Sequence, residues 1–130
     1  MFDSLRRFYS PNEIDRLRRH DIVEVCPLAY MRGRTFDDSW IIADEMQNST
    51  PSQMRMVLTR IGEGSKLVVT GDPVQHDRGY DQNGLIDFLI RLTRPENLER
   101  LLSIQHIQFT EEDIVRHPVI KEILEVYRDQ

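Results

Sequence analysis

The sequence predicts an α/β chain, a parallel sheet with helices on both faces, and three observations carry that reading. Short apolar runs rich in β-branched residues alternate with helix-length segments. The helix starts are spelled out by Ser or Thr followed by Pro. Two of the runs, "WIIADE" and "KLVVTGD", end in acidic tips. Runs of five or six residues set between helices suit strands buried on both sides, as parallel sheets require.

The elements follow in order. "SPNE" places Ser10 as N-cap, Pro11 at the first helical position and Glu13 to close a capping box; "TPSQ" repeats the pattern with Thr50, Pro51 and Gln53. "TRPE", Thr93 to Glu96, is a weaker version with its Pro one position later. After Thr50, the residues Met54, Val57, Leu58 and Ile61 form one apolar stripe, and Gly62 is expected to stop that helix. Two more stripes, Leu85, Phe88, Leu89, Leu92 and Ile120, Ile123, Leu124, Tyr127, predict two more helices. Strands are expected at "IVEVC" (22–26), "WIIAD" (40–44), "KLVVTG" (66–71) and, more weakly, "IQHIQF" (104–109).

A chain of 130 residues suits one small core, and 30% charged with 39% apolar residues is an ordinary globular balance. The net charge of −5 gives no general grip on nucleic acid or an anionic membrane. No run approaches the ~18 apolar residues of a membrane span, and the N-terminus lacks a secretory apolar core. The lone Cys26 has no disulfide partner and reads as a small buried hydrophobe, so a cytoplasmic protein is expected.

The strand tips carry the chemistry. In open parallel sheets ligands bind beyond the carboxyl ends of the strands, where loops converge. An apolar strand ending in Asp44-Glu45 has the Walker B form, in which the Asp holds Mg2+ through water and the next acid orients or deprotonates the attacking water. Apolar runs followed by two acids also occur without function, and "GDPVQ" taken alone is a good turn. Together the two tips put polar groups along one edge of one sheet, as a metal and phosphate site needs.

At this point the residues resemble one family, the PhoH-like ATPases, phosphate-starvation-type P-loop proteins related to the first RecA-like domain of superfamily-one helicases. The matching motifs are "PLAYMRGRTF" (27–36), "IIADEMQNSTPSQMRMVLTRIGEGSKLVVTGD" (41–72) with Gln75, "NGL" (83–85) and "FTEEDIVRHPVI" (109–120). The resemblance implies that residues 1–130 are the C-terminal part of a RecA-type ATPase domain that binds and hydrolyses ATP. It implies that Asp44 binds Mg2+, that Glu45 activates water, and that Gln75, in the loop with Gly71 and Asp72, contacts the γ-phosphate. Arg116 is implied to reach a phosphate, in a neighbouring subunit of a homo-oligomer, and a link to RNA is implied by the helicase kinship.

One motif of the family is missing. No G-x-x-x-x-G-K-[ST] loop occurs: the only lysines are Lys66 and Lys121, and "GEGSK" stands before a strand instead of after one. The resemblance therefore implies an incomplete sheet that lacks the strand leading into that loop, and a chain that depends on a complementary N-terminal half or on self-association. On its own it is expected to bind ATP feebly. Two alternatives stay open: a non-catalytic module that binds a partner or lends Arg116 to an intact ATPase, and a metal-dependent nuclease using Asp44, Glu45 and Asp72. Arg32 and Arg34 read equally as nucleic-acid contacts or as parts of a solvated, ordered loop. Trp40 reads as a packing residue, and His20, His76, His106 and His117 show no ligand spacing.

Overall fold

The computed structural model describes residues 2–74, 83–98, 100, 103–110, 113, 115 and 118–126. It is a mixed α/β structure that divides into two compact units, Met1–Arg94 and Pro95–Gln130. The first unit holds α1 (Phe2–Leu5), α2 (Pro11–Arg19), β1 (Trp40–Ala43), α3 (Pro51–Leu58), β2 (Lys66–Val69) and α4 (Gly84–Leu92). Within the second, α5 (Pro95–Leu98) and α6 (Pro118–Val126) are helical.

The capping signals act as written. Ser10 Oγ accepts from the Glu13 amide while Glu13 accepts from the Ser10 amide, and Thr50 and Gln53 make the same reciprocal pair at α3. These bonds satisfy amides that the first helical turn leaves without partners. At α4 the cap is Asn83, whose Oδ1 accepts from the amides of Leu85 and Ile86.

β1 and β2 pair in parallel with Trp40 opposite Lys66 and Ala43 opposite Val69, and an isolated parallel bridge joins Phe36 to Ile61 ahead of them. One face of this sheet meets α3 and α4: Ala43, Leu67 and Val69 join Met54, Val57 and Leu85, with Met31 and Met46 closing the cluster.

The two other expected strands do not form. Ile22 and Val23 are drawn back onto the end of α2, where Asp21 takes a left-handed conformation (φ 54), and residues 24–26 follow as coil. The Ile22 amide then bonds to the Leu17 carbonyl and the Asp21 amide to the Arg18 carbonyl, a double closure that uses the first residues of "IVEVC" as a helix cap. Residues 104–109 are unpaired coil. Helix α3 also ends sooner than its stripe suggests. Thr59 Oγ1 takes up the carbonyls of Arg55 and Met56, and Arg60 Nε reaches the Met56 carbonyl. Ile61 leaves the helix for its bridge to Phe36. Trp40, expected to pack inside, is 71% exposed, with the Lys66 ammonium 4.9 Å above its ring.

Candidate functional site

The parallel register brings the two acidic tips side by side. The strand after Ala43 continues into Asp44, and the strand after Val69 into Thr70; the Thr70 amide bonds to the Ala43 carbonyl and the Met46 amide to the Thr70 carbonyl. Thr70 Oγ1 donates to Asp44 Oδ1 at 2.6 Å, fixing one oxygen of that carboxylate. Asp44 and Glu45 are both exposed.

Glu45 has φ 56 and ψ 38, a left-handed backbone unusual for a residue with a long side chain, and it opens the 3-10 turn Met46–Asn48. Asp21 and Asp38 share the conformation, but Asp tolerates it better in turns. Strain of this kind persists where surrounding bonds over-determine the backbone. Here they do: Gln47, buried, donates from Nε2 to Glu45 Oε2 and accepts from the Asp72 amide at Oε1, 3.3 Å away.

Gly71 is explained by space. A Cβ there would stand 2.7 Å from Gln47 Oε1 and 2.8 Å from a Leu85 methyl, so any larger residue at the β2 tip would have to displace one of these side chains. Asp72 turns its carboxylate to the Val74 amide at 2.9 Å, closing the local turn. Beneath the tips, Ser49 and Asn83 are buried and the Gly84 amide bonds to the Ser49 carbonyl, locking the start of α4 against the turn after β1.

The structure thus gathers Asp44, Glu45, Gly71 and Asp72. Gln75 and Arg116 lie outside the described residues, as do His76 and His117. Among the described residues no three acidic, His or Cys side chains come together as a metal cage, so Asp44, Glu45 and Asp72 do not form the three-carboxylate centre of the nuclease alternative. Among the described residues the donor set suits an ion that keeps most of its water and takes one carboxylate plus phosphate oxygens, because Asp44 is exposed and oriented by the Thr70 hydroxyl.

Arg32 and Arg34 separate. Arg34 grips both oxygens of Glu24 at 2.6 and 2.8 Å, donates to Cys26 Sγ at 3.3 Å and lies 4.6 Å over the Phe36 ring. That bond from Arg34 holds the Glu24 carboxyl below its ordinary range and raises the guanidinium further. Arg34 is a loop-ordering residue; Arg32 is exposed. Cys26, expected to be buried, is half-buried against the core edge and accepts from Arg34. Gln47 was the residue that spacing did not single out; its one signal was an amide two places after the paired acids.

Comparison with known proteins identifies the family. The family model described as "PhoH-like protein" matches residues 1–128. A "PhoH-like protein" of Bacillus subtilis (strain 168) is 42% identical over 132 residues, covering 100% of this chain and 39% of that protein. One from Synechocystis sp. (strain ATCC 27184 / PCC 6803 / Kazusa) is 41% identical, covering 98% and 37%. "Protein PhoH" of Escherichia coli (strain K12) is 42% identical over 107 residues, covering 81% and 28%. The chain spans well under half the length of these relatives. It belongs to the PhoH-like family.

Proposed function

We propose that this PhoH-like chain supplies the magnesium-holding and water-activating part of an ATP-hydrolysing protein, with β1 and β2 as neighbouring strands of a RecA-like sheet. The observation that supports it most is the in-register parallel pair that sets Asp44 and Glu45 beside Thr70, Gly71 and Asp72. In this reading Asp44, aligned by the Thr70 hydroxyl, holds Mg2+ through water. When bound, the ion neutralises charge on the phosphates. Glu45 accepts the proton of the attacking water, Gln75 contacts the γ-phosphate, and Arg116 approaches a phosphate from a neighbouring subunit. Arg32 remains the candidate for contact with RNA, since Arg34 is committed to Glu24.

A glycine-rich loop and the strand before it are to be provided by a complementary segment, because the only charged side chains at the described tips are carboxylates, which repel a polyphosphate. The expected setting is a cytoplasmic homo-oligomer; no described helix is long and apolar enough to cross a membrane. A second reading, a non-catalytic module that lends Arg116 to an intact ATPase, draws on the absence of that loop from these 130 residues.

The test begins with calorimetry on the purified chain, which should show feeble magnesium-ATP binding. Combined with a segment carrying the glycine-rich loop, it should hydrolyse ATP. Glu45→Gln should then keep nucleotide binding and lose hydrolysis by about 10²-fold or more, and Asp44→Ala should weaken the magnesium-dependent part of binding. Full hydrolysis by Glu45→Gln would remove Glu45 from the mechanism. Activity regained on mixing Arg116→Ala with Glu45→Gln subunits would support action across an interface; hydrolysis only with an added intact ATPase would favour the second reading.

A further inference from the structure

We propose that Gln47 is the positioning residue of this site: its amide ties the Glu45 carboxylate to the tip of β2, so that where Glu45 points depends on where the 71–74 loop lies. The catalytic meaning of that tie rests on the water-activating role of Glu45; the tie itself does not.

The argument is one of orientation. An exposed glutamate has several rotatable bonds and no reason to hold one direction, yet a proton acceptor must stand within hydrogen-bond reach of one water. Glu45 is also in a left-handed backbone, which a normal strand residue does not adopt. Gln47 resolves both. It is 4% exposed, so its amide is fixed by packing, and its two ends do different work. Nε2 donates to Glu45 Oε2 and Oε1 accepts from the Asp72 amide. Neither an acid nor an aliphatic residue of the same length has both a donor and an acceptor to offer.

The surroundings fit a built link. Gly71 lacks the Cβ that would push Gln47 Oε1 away, and Ser49 Oγ bonds to the Met46 carbonyl at 2.6 Å, holding the turn on which Gln47 is mounted. Movement of the 71–74 loop would pull on Oε1 and so rotate the donor that faces Glu45. The Asp44 and Asp72 carboxylates each accept elsewhere, from the Thr70 hydroxyl and the Val74 amide, and the carboxylate to which Gln47 donates is that of Glu45.

The experiment uses the 130-residue chain and nuclear magnetic resonance of labelled side chains. In Gln47→Leu the side chain keeps its bulk and loses both donor and acceptor, so at fixed pH the Glu45 side-chain carboxyl carbon and the Asp72 amide resonances should both move. Unmoved Glu45 and Asp72 resonances overturn the proposal. Should Gln47→Leu not fold, Glu45→Ala alters only an exposed side chain and reads the same tie: the Gln47 side-chain amide protons should exchange at least about tenfold faster, and the Asp72 amide resonance should move. Unmoved resonances there also overturn it. In an assembly that hydrolyses ATP, Gln47→Ala should lower kcat by about 10²-fold with KM nearly unchanged, the cost of a misplaced catalytic group. Adding it to Glu45→Gln should cost little more. An assembly inactive even unaltered counts against the hydrolase reading, whereas the resonance data decide the role of Gln47 separately.

Discussion

The two faces of the small sheet are written in the same apolar language and end in opposite surroundings. On one face Ala43, Leu67 and Val69 lie against α3 and α4, where Met54 and Val57 are almost fully buried. On the other, Trp40, Ile42 and Val68 are 71%, 54% and 41% exposed. Continuous apolar strands with no polar alternation are the mark of burial on both sides, so the bare face shows what "WIIA" and "KLVV" are made for and do not find among the described residues. The edges repeat the lesson. In a parallel ladder, residues alternate in the direction of their N–H and C=O groups; Lys66 and Thr70 bond to β1, so Leu67 and Val69 present theirs at the outer edge of β2.

The largest expected difference sets the two faces against each other. Met54→Ala should cost about 2–5 kcal/mol of stability in urea denaturation, whereas Ile42→Thr and Val68→Thr should each cost within about 0.5 kcal/mol. Equal costs would mean that the second face is covered in solution, and light scattering on the same samples would then show an assembly that the two threonine substitutions dissolve.

At the rim between the faces, Gly71→Ala should destabilise by about 1–3 kcal/mol, because the new methyl meets Gln47 on one side and Leu85 on the other. Glu45→Gly should act in the opposite direction, raising the unfolding free energy from urea denaturation by about 1 kcal/mol through relief of the left-handed backbone. A loss of stability in that variant would show that the Gln47 contact outweighs the strain.

The smallest effect lies away from both faces. Because Arg34 lowers the Glu24 pKa from its ordinary 4.5, the stability that the pair contributes is fully present above that pH and is lost as pH falls through the lower folded value. Glu24→Gln should flatten the acid limb of a stability-against-pH curve and leave the neutral region nearly unchanged. An unaltered acid limb would mean that this exposed pair is too well screened to matter.

Local signals were legible in the sequence wherever they depended on neighbours in the chain. The boxes at Ser10 and Thr50, the helices α3, α4 and α6, the strands β1 and β2 and the placing of Asp44, Glu45 and Asp72 just past the strand ends follow from capping chemistry, periodicity and sequence order, all of which act over a few residues. What the tertiary structure alone decided involves partners distant in sequence. Whether "IVEVC" is a strand turned on Asp21 closing α2 before any pairing could form. Arg34 became a loop clamp only because Glu24, ten residues earlier, lies within its reach. Gln47 gained its place because β2 passes 25 residues later in the chain yet within hydrogen-bond distance, and an amide, carrying no charge and no period, announces nothing until its two partners are in position.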